Sequence, residues 1–482
     1  MGGDDTAYSR GMTADPRADR ELDIVLFGAT GFAGRLTAAH LASAAPEDVR
    51  IALAGRSEAR LKAVRAGLGD AAADWPLIVV DASDEAAVRA LAERTQVVVT
   101  TVGPYAKFGM PLVAACAEAG TDYCDLTGEV LFVHRSIAAF HDIAQRTGAR
   151  IVHSCGFDSV PSDLGVMLTA EGARADGAGD LGFTRLAVRT LKGGISGGTI
   201  DSARNQVQEG LADKGARRLM ADPWALAEGG RPKRPKRPVS SGAEVGAGAA
   251  APSTAAGADA PDVAGSGATG TGAGARSSAF PGPLGVVLKP AQALLGRLAK
   301  ESPVRRDVDN GHFTGPFVMA SFNTRIVARS ASINHYGDGF RYIEYSDFGA
   351  GPKGAVTAAA VAAGLGIGLA GFAFAPTRAL LDRVLPKPGE GPSEEAQKAG
   401  RFRMEVTGET TSGSRYRTVV AAPYDPGYSG TAIMLGQSAL ALVEDRDRLP
   451  DRAGVLTPAT AIGAPLVDRL RTHGFTLETT PL

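Results

Sequence analysis

The sequence predicts an α/β protein, with a doubly wound parallel sheet near the N-terminus and a second, α+β domain with a mixed sheet after it. From Leu22 onward, short continuous apolar runs alternate with helical stretches, which is the pattern of a parallel sheet covered on both faces. After about Gly165 the rhythm changes, and segments such as FTRLAVRTL, FRYIEYSDF and RYRTVVAA alternate polar and apolar residues. That alternation is typical of an antiparallel or mixed sheet with one wetter face.

The first strands of the parallel sheet are predicted from short β-rich apolar runs. They are Leu22–Phe27, Ile51–Gly55, Pro76–Val80 and Gln96–Thr101. Helical stretches separate them at 57–68 and 84–93. Two further units follow, with helices near 110–119 and 131–146 before the runs TDYCDL and ARIVHS.

Size and composition exclude several classes of protein. The chain has 482 residues, which is enough for two domains of ordinary size. Its 51 basic and 52 acidic residues leave a formal net charge of −1, which argues against nucleic-acid binding through bulk charge. The three cysteines include no CxxC pair, which argues against a disulfide framework or a zinc site and fits a reducing cytoplasm. No metal site, Ser-His-Asp grouping or Walker loop is evident.

Two segments are predicted to be disordered. Residues 1–21 have no apolar core and many charges, and residues 231–282 begin with RPKRPKRP and continue mostly with Ala, Gly, Ser, Thr and Pro. Neither can bury enough apolar surface to offset its ordering entropy. The basic run has the charge to contact phosphates or anionic lipid, although a solvated linker is the simpler explanation. The predicted folded parts are therefore 22–155 and 156–446, the second interrupted by 231–282.

The strongest local signal is the turn Gly28-Ala-Thr-Gly31-Phe-Ala-Gly34, placed directly between the first strand and the first helix. The first glycine permits a tight turn, the second lets the backbone approach a pyrophosphate, and the third lets helix and sheet pack closely. The helix N-terminus then offers free N–H groups to the phosphates. The pattern predicts a Rossmann-type dinucleotide-binding domain over 22–155. The residues expected to bind the cofactor here are Gly28, Thr30, Gly31, Phe32 and Gly34.

The end of the second strand favours NADP over NAD. An NAD enzyme usually has an acidic residue there to hold the ribose 2′-hydroxyl, whereas this sequence has Arg56. A guanidinium suits a 2′-phosphate because it binds phosphate with two strong hydrogen bonds. The alternative is a solvent-facing arginine at a helix start. Asp81, which closes the third strand, is placed to reach the adenine edge or else to cap the next helix.

Several motifs together resemble the saccharopine dehydrogenase-like oxidoreductases, and within them the branch called trans-acting enoyl reductases of actinobacterial lipid and polyketide pathways. The resemblance spans most of 22–480 and leaves out the N-terminal extension and the low-complexity insert. It is specific for the family and much less so for a substrate. The motifs are GATGFAGR (28–35), AGRS (54–57), TTVGPYAKFGMPLVAAC (100–116), DYCDLTGE (122–129), HSCGFDSVPSDLG (153–165), GGISGGTIDS (193–202), PFVMASFNTRIVARS (316–330), LPKPGEGPSEE (385–395), DPGYSGTAIML (425–435) and GVLTPATAIG (454–463).

The resemblance implies a fold, a cofactor and a reaction. The family has a Rossmann domain, a mixed-sheet second domain and a C-terminal segment that packs back on the first, here about 447–482. The implied reaction is NADPH-dependent reduction of the double bond in a lipid- or polyketide-derived enoyl thioester. The implied partner of the protein is an acyl carrier protein or polyketide synthase. A homo-oligomer is compatible with the sequence.

The candidate chemistry lies at the carboxyl edge of the sheet, where ligands bind in this architecture. The loop Val102-Gly103-Pro104-Tyr105 follows the fourth strand, and its first three residues are expected to contact the cofactor. Tyr105 is a candidate to stabilise the enolate or donate a proton, although a packing aromatic is an equal alternative. Asp158 follows the sixth strand and should face the same crevice, as a second catalytic candidate or a helix cap.

Residues 354–375 contain no charge and are mostly Ala and Gly. Twenty-two such residues could just span a bilayer. Three interpretations stay open, namely an internally packed helical pair, a peripheral membrane contact flanked by Lys353 and Arg378, and a true span. A span is disfavoured because it would place the two halves of the second domain on opposite sides of a membrane.

Three functional hypotheses follow. The first is an NADPH-dependent reductase of an acyl thioester or similar lipid-like molecule, cytoplasmic or peripheral on the inner face of the plasma membrane. The second is a saccharopine dehydrogenase-type enzyme acting on an amino-acid imine or conjugate. The third is a membrane-associated scaffold that has kept the fold without turnover. The intact glycine turn with Arg56 favours active cofactor use, and the apolar segment favours a lipid-like substrate.

Overall fold

A computed structural model describes residues 17, 19–193, 197–230, 304–307, 310–373, 377 and 393–482. The predicted insert 231–282 lies outside the described residues, as do most of the predicted N-terminal extension and Arg378. The described part contains two seven-stranded sheets. The predicted fold class, a Rossmann-type parallel sheet with a second mixed sheet, is confirmed.

The first sheet is parallel throughout and has the strand order β13-β6-β5-β4-β1-β2-β3. Strands β1 and β2 are buried at every position, and all their residues except Asp23 are apolar. The strands are β1 (Leu22–Phe27), β2 (Ile51–Gly55), β3 (Leu77–Val79), β4 (Thr95–Thr100), β5 (Asp122–Asp125), β6 (Arg150–Val152) and β13 (Gly454–Leu456). The order reverses between β1 and β4, which creates a crevice at the carboxyl ends of these two strands.

Helices connect the strands of this sheet. They are α1 (Phe32–Ala44), α2 (Glu58–Gly67), α3 (Glu85–Glu93), α4 (Tyr105–Ala119) and α5 (Val130–Thr147), with a short 3-10 turn at Asp70–Ala72. Helix α4 begins five residues before the predicted start near 110, and Pro111 lies inside it. The prediction used apolar periodicity alone, whereas the first turn is stabilised by a carboxylate from another loop, described below.

The second sheet is mixed and has the order β14-β12-β11-β7-β10-β9-β8. Only β10 and β7 pair in parallel among its described strands. The strands are β7 (Leu181–Lys192), β8 (Arg305–Arg306), β9 (Phe313–Gly315), β10 (Arg341–Asp347), β11 (Arg401–Thr410), β12 (Arg415–Ala422) and β14 (Thr476–Pro481). Buried and exposed residues alternate along β11 and β12, as the sequence pattern predicts for a sheet with one wetter face.

The remaining helices join the two sheets. Helix α6 packs on β11, β12 and β14, and α12 packs on α1 and on strands β1, β4 and β5 of the first sheet. The helices are α6 (Val160–Ala175), α7 (Gly197–Ala212), α8 (Lys214–Ala221), α9 (Ala320–Asn334), α10 (Gly351–Ala373), α11 (Glu394–Lys398), α12 (Ser429–Glu444), α13 (Pro458–Ala461) and α14 (Ala464–Thr472), with a 3-10 turn at Arg446–Arg448.

Two segments differ in detail from the predicted domain limits. The predicted second domain, 156–446, includes α12, which packs on the first sheet. The predicted last segment, 447–482, gives β13 to the first sheet and β14 to the second. At the other end, Arg17 donates a hydrogen bond to the Asp122 carboxylate at 2.9 Å, and Arg20 donates to Thr121 Oγ1 at 2.5 Å. The described part of the predicted extension therefore contacts the first sheet.

Helix α10 covers most of the predicted apolar segment. It packs on β9 and α7, with Gly354 and Ala358 buried, while Val356 is 70% and Ile367 73% exposed. Residues Gly351–Ala373 form one helix, and the rest of the predicted segment, 374–375, lies outside the described residues. Among the described helices, none is long and apolar enough to cross a membrane.

Candidate active site

The glycine turn has the geometry that close approach of a phosphate requires. Gly28 has a φ of 93°, which favours glycine, and a Cβ there would lie 2.8 Å from Thr101 Oγ1 and 2.9 Å from Val102 Cγ2. A Cβ at Gly34 would collide with the carbonyl oxygen of Gly28. The turn after β4 therefore lies directly against the glycine turn. The two turns can approach this closely only because Gly28 has no side chain.

The N-terminus of α1 offers donors for an anion. Gly31 occupies the N-cap position without a side-chain cap, and the N–H groups of Phe32 and Ala33 have no acceptor within the described residues. Unpaired N–H groups and the positive end of the helix dipole suit a pyrophosphate. Arg35 Nη1 donates a hydrogen bond to the Thr30 carbonyl oxygen at 2.9 Å. The residues present thus fit a bound dinucleotide.

Arg56 and Asp81 lie together at the ends of β2 and β3. Arg56 is exposed and makes no hydrogen bond or ion pair within the described part of the chain. Asp81 accepts hydrogen bonds from the Ser83 backbone N–H at 2.9 Å and from Ser83 Oγ at 2.7 Å. These bonds, with a smaller contribution from Arg56, lower the pKa of Asp81. Asp84, rather than Asp81, caps the next helix.

Glu129 binds the first turn of α4, directly after the turn Val102-Gly103-Pro104, whose Gly103–Pro104 peptide is cis. Its carboxylate accepts hydrogen bonds from the backbone N–H groups of Tyr105 at 3.0 Å and Ala106 at 2.8 Å, which are the first two of α4. Burial raises the pKa of Glu129, and these bonds, with one from Ser202 Oγ at 2.8 Å, oppose that shift. A carboxylate 24 residues away along the chain therefore caps α4.

Tyr105 occupies a structural position. Its hydroxyl donates to the Thr100 carbonyl at 3.1 Å and accepts from the Leu126 N–H at 3.1 Å, which joins the ends of β4 and β5. Its side chain is 6% exposed, and burial raises the pKa of the hydroxyl well above its ordinary value. The single hydrogen of this hydroxyl is already donated within the protein. The geometry thus favours the packing alternative for Tyr105 over proton donation.

Asp158, unlike Tyr105, makes no hydrogen bond that would occupy its side chain within the described residues. It follows β6 in a turn, is half-buried, and makes no hydrogen bond or ion pair in the part of the chain that the structure describes. A Cβ at Gly128 would lie 3.7 Å from Asp158 Oδ2 and 3.6 Å from Met319 Cε. Burial raises the pKa of Asp158 to about 6. Asp158 is thus a carboxyl group with a raised pKa and no protein partner among the described residues, which is a common property of catalytic acids.

A buried network behind Asp158 holds the two loops of the crevice together. Asp125 accepts hydrogen bonds from the Thr127 N–H at 3.0 Å, the Ser154 N–H at 2.8 Å and the Tyr123 hydroxyl at 2.9 Å. His153 lies 2.7 Å from Asp125 through Nδ1. Ser154 has a φ of 68°, an uncommon conformation that these contacts impose.

The same network contains a Ser-His-Asp arrangement that the sequence did not reveal, because Ser136, His153 and Asp125 lie far apart along the chain. Ser136 Oγ lies 2.8 Å from His153 Nε2. All three side chains are fully buried. A nucleophile must be reachable by its substrate, so this arrangement is structural.

Helix α7 crosses above this crevice. A Cβ at Gly193, just before it, would collide with the Asp425 carboxylate near the start of α12. Ser202 reaches Glu129, and Gln206 Nε2 donates to the Gly128 carbonyl at 3.0 Å. The helix therefore runs from the α12 side of the crevice to the loop that lies beside Asp158.

Residues 24–152 match the saccharopine dehydrogenase NADP binding domain. Over 479 residues the chain is 44% identical to a putative trans-acting enoyl reductase of Mycobacterium tuberculosis, covering 98% of this chain and 100% of that protein. The chain belongs to the trans-acting enoyl reductase family. The predicted family, the NADP cofactor and the oxidoreductase class are confirmed.

Other members of the trans-acting enoyl reductase family are similarly close. A trans-acting enoyl reductase of Mycobacterium bovis is 43% identical over 472 residues, covering 96% of this chain and 99% of that protein, and that of Mycobacterium ulcerans is 42% identical over 472 residues with the same coverage. Among solved structures, the saccharopine dehydrogenase of Saccharomyces cerevisiae covers 96% of this chain and 100% of its own, with a TM-score of 0.49 and 12% identity. A likeness this weak carries no argument about function.

The sequence-predicted site residues fall into two groups on either side of β1. Arg56 and Asp81 lie at the β2–β3 side, while Asp158 lies at the β6 side. The glycine turn and the Val102–Pro104 turn lie between the groups. This arrangement suits a dinucleotide laid across the carboxyl edge, with its 2′-phosphate near Arg56. Sequence reasoning missed Glu129, whose only signal was the acidic residue that ends DYCDLTGE.

Proposed function

We propose that this protein reduces the α,β-double bond of an enoyl thioester at the expense of NADPH. Its relatives are named trans-acting enoyl reductases. Bound NADPH would supply the hydride to the β-carbon. The observation that carries the proposal is Asp158, a half-buried carboxyl with a pKa raised by burial to about 6 and no protein partner among the described residues. In its acid form it has a proton to give to the α-carbon as the enolate collapses.

The residues of the carboxyl edge divide the remaining work. The Gly28–Gly34 turn and the N-terminus of α1 bind the pyrophosphate, and Arg56 binds the 2′-phosphate. The Val102–Pro104 turn, which Glu129 stabilises through α4, shapes the floor of the crevice next to the cofactor. Tyr105 ties β4 to β5 beneath that floor and positions it. The β-carbon gains a hydride and the α-carbon a proton, so the product is the saturated thioester and NADP⁺.

The substrate is an acyl chain presented by another macromolecule, an acyl carrier protein or polyketide synthase, since the relatives are named as acting in trans. The test is NADPH oxidation by the purified protein with a panel of enoyl thioesters of increasing chain length and a parallel panel of amino-acid imines. Oxidation with the thioesters alone is expected. Oxidation with the imines alone would support a saccharopine dehydrogenase-type activity, and oxidation with neither would support a scaffold without turnover.

We further propose that α10 contacts an anionic lipid surface peripherally. Its long outer side is apolar and exposed, with Val356 at 70% and Ile367 at 73% exposure, and exposed Lys353 precedes it. An apolar helix side with a cation at its end suits the boundary between lipid headgroups and acyl chains. Because α10 packs on α7, which crosses the crevice, this contact would place lipid-like substrates near the entrance to the site.

A further inference from the structure

Asp158 lies in a turn, residues 156–159, that the rest of the protein holds on both sides of it. Before Asp158, the Phe157 N–H donates a hydrogen bond to Thr431 Oγ1 at 3.0 Å. After Asp158, the fully buried Ser159 hydroxyl donates a hydrogen bond to a side chain of α9. The position of the Asp158 carboxyl therefore depends on contacts made by its two neighbours in the chain.

Asn323 is the residue of α9 that binds the Ser159 hydroxyl, and it uses both ends of its side-chain amide. Its Oδ1 accepts from Ser159 Oγ at 3.1 Å. Its Nδ2 donates to Ser162 Oγ at 3.2 Å and to Glu344 Oε2 at 3.1 Å. Ser159 is the N-cap of α6, and Ser162 lies in the first turn of that helix. One buried amide thus joins the Asp158 turn and the start of α6 to α9.

Glu344, on β10, sets the orientation of this amide. An ionised carboxylate only accepts hydrogen bonds, so it binds the NH₂ end of Asn323 and leaves the oxygen end for Ser159. The Tyr342 hydroxyl in turn donates to Glu344 Oε1 at 2.8 Å. Burial raises the pKa of Glu344 to about 7, and the hydrogen bonds that it accepts oppose this shift.

The other titratable groups around Asp158 are bound elsewhere and do not hold it. The Tyr105 hydroxyl donates to the Thr100 carbonyl, and the Glu129 carboxylate binds the first turn of α4. Asp158 itself makes no hydrogen bond or ion pair within the described residues. A proton donor must nevertheless lie at a defined distance from the carbon that it protonates. The turn has to supply that definition.

We propose that Asn323, oriented by Glu344, is a positioning residue that holds the Asp158 turn for proton transfer to the α-carbon. This assignment rests on the proposed enoyl reduction. Asn323 is fully buried and Glu344 is 5% exposed, so they act through the Ser159 hydroxyl and not by touching the substrate. Loss of that hydrogen bond lets the turn move and admits water to the Asp158 carboxyl.

The first test measures kcat with crotonyl-CoA and NADPH. Asn323→Ala should lower kcat by about tenfold to a hundredfold, because a catalytic group misplaced by about 1 Å can lose that much. Ser330→Ala is the matched control. Ser330 is also buried on α9, two turns further along, but its hydroxyl binds Asp163 and Thr457. Ser330→Ala should lower stability in urea and keep kcat, and equal losses of kcat in the two variants would overturn the proposal.

Milder substitutions keep the test decisive if Asn323→Ala does not fold. Ser159→Ala removes only the hydroxyl that Asn323 binds, and it should lower kcat in the same way. Glu344→Gln keeps an oxygen acceptor for the Asn323 amide and should retain most of the activity, whereas Glu344→Leu should lose it. Wild-type kcat in Ser159→Ala would overturn the role of Asn323, and equal activity of the two Glu344 variants would overturn that of Glu344.

A second measurement is independent of turnover. In protein labelled with ¹³C at the aspartate carboxyl carbons, the NMR signal of Asp158 is the one missing from Asp158→Asn. The wild-type signal should titrate near pH 6, since burial raises the pKa of Asp158 to about that value. In Asn323→Ala the midpoint should lie about one pH unit lower, because a carboxyl that gains water ionises more readily.

The control and the contrary outcomes of this titration are equally definite. Ser330→Ala should keep the wild-type midpoint. An unchanged midpoint in Asn323→Ala would overturn the proposal even if kcat fell. Failure of wild type to reduce any enoyl thioester would overturn the proposed function, while the titration would still decide whether Asn323 positions Asp158.

Discussion

The Glu129 carboxylate accepts a hydrogen bond from the backbone N–H of Tyr105 at 3.0 Å. The two residues come from different strand ends, so this bond couples the loop after β5 to the turn after β4. Glu129 is 1% exposed, and its oxygens also bind the Ala106 N–H and Ser202 Oγ. The Glu129 side chain thus joins the first turn of α4 to helix α7.

Replacing Glu129 by alanine should destabilise the protein by about 2–3 kcal/mol, because two buried backbone N–H groups and one hydroxyl lose a charged acceptor. NADPH affinity should fall as well, since the Val102–Pro104 turn loses its support. Urea unfolding and cofactor titration measure the two effects. Glu118→Ala, which removes an exposed partner of Arg89, is the control and should change stability by less than about 1 kcal/mol. Equal effects of the two substitutions would contradict the coupling.

Arg56→Ala should weaken NADPH binding by about tenfold to a hundredfold, which corresponds to about 1.5–3 kcal/mol for a charge-assisted contact to the 2′-phosphate. Binding of NADH, which lacks that phosphate, should be nearly unchanged. Titration of both cofactors against wild type and variant measures this difference. Arg60→Ala, an exposed arginine one turn further along α2, is the matched control. Equal affinity of the wild type for NADPH and NADH would refute the role of Arg56.

Much of this site was predictable because the signals were local. The glycine turn and the alternation of strands and helices follow from residues that are neighbours in the sequence, and the fold class was confirmed. The role of Tyr105 was not predictable, because it depends on the Thr100 carbonyl and the Leu126 N–H, which only the closed sheet brings together. The position of α12 was missed for a related reason: an apolar helix shows that it is buried, but not which sheet it covers.

Asp158 allows a prediction with a definite dependence on pH. Its folded-state pKa of about 6 is raised above the ordinary value of 3.8, so its contribution to stability is present at low pH and is lost as the pH rises through about 6. Asp158→Asn should therefore stabilise the protein more at pH 8 than at pH 5, by about 1–2 kcal/mol after allowance for partial exposure. Asp142→Asn, an exposed carboxylate, is the control for the urea unfolding measurements.

The same substitution should lower activity. The acid form of Asp158 is the one that donates a proton, so kcat/KM of the wild type should fall as the pH rises above about 6. Asp158→Asn should reduce kcat/KM strongly and remove that pH dependence, because asparagine has no titrating proton. A variant that keeps the wild-type rate and pH profile would show that the proton comes from elsewhere.

The exposed side of α10 should bind anionic lipid without inserting across the bilayer. Substituting Val356, Val361 and Ile367 together by serine removes three exposed apolar side chains, with exposed fractions of 70%, 36% and 73%. Wild type should co-sediment with vesicles of phosphatidylcholine and phosphatidylglycerol and be released by high salt or alkaline carbonate, since the contact combines shallow apolar burial with attraction of Lys353 to the headgroups. The triple variant should stay in the supernatant with unchanged NADPH affinity.

The matched control for loss of surface hydrophobicity is serine at Leu191 and Ile343, which are 46% and 44% exposed on the second sheet. These substitutions should leave vesicle binding intact. Wild-type protein that ignores the vesicles would show that this side of α10 faces water or another protein, and resistance to carbonate would show deeper insertion than the geometry of a single exposed helix supports.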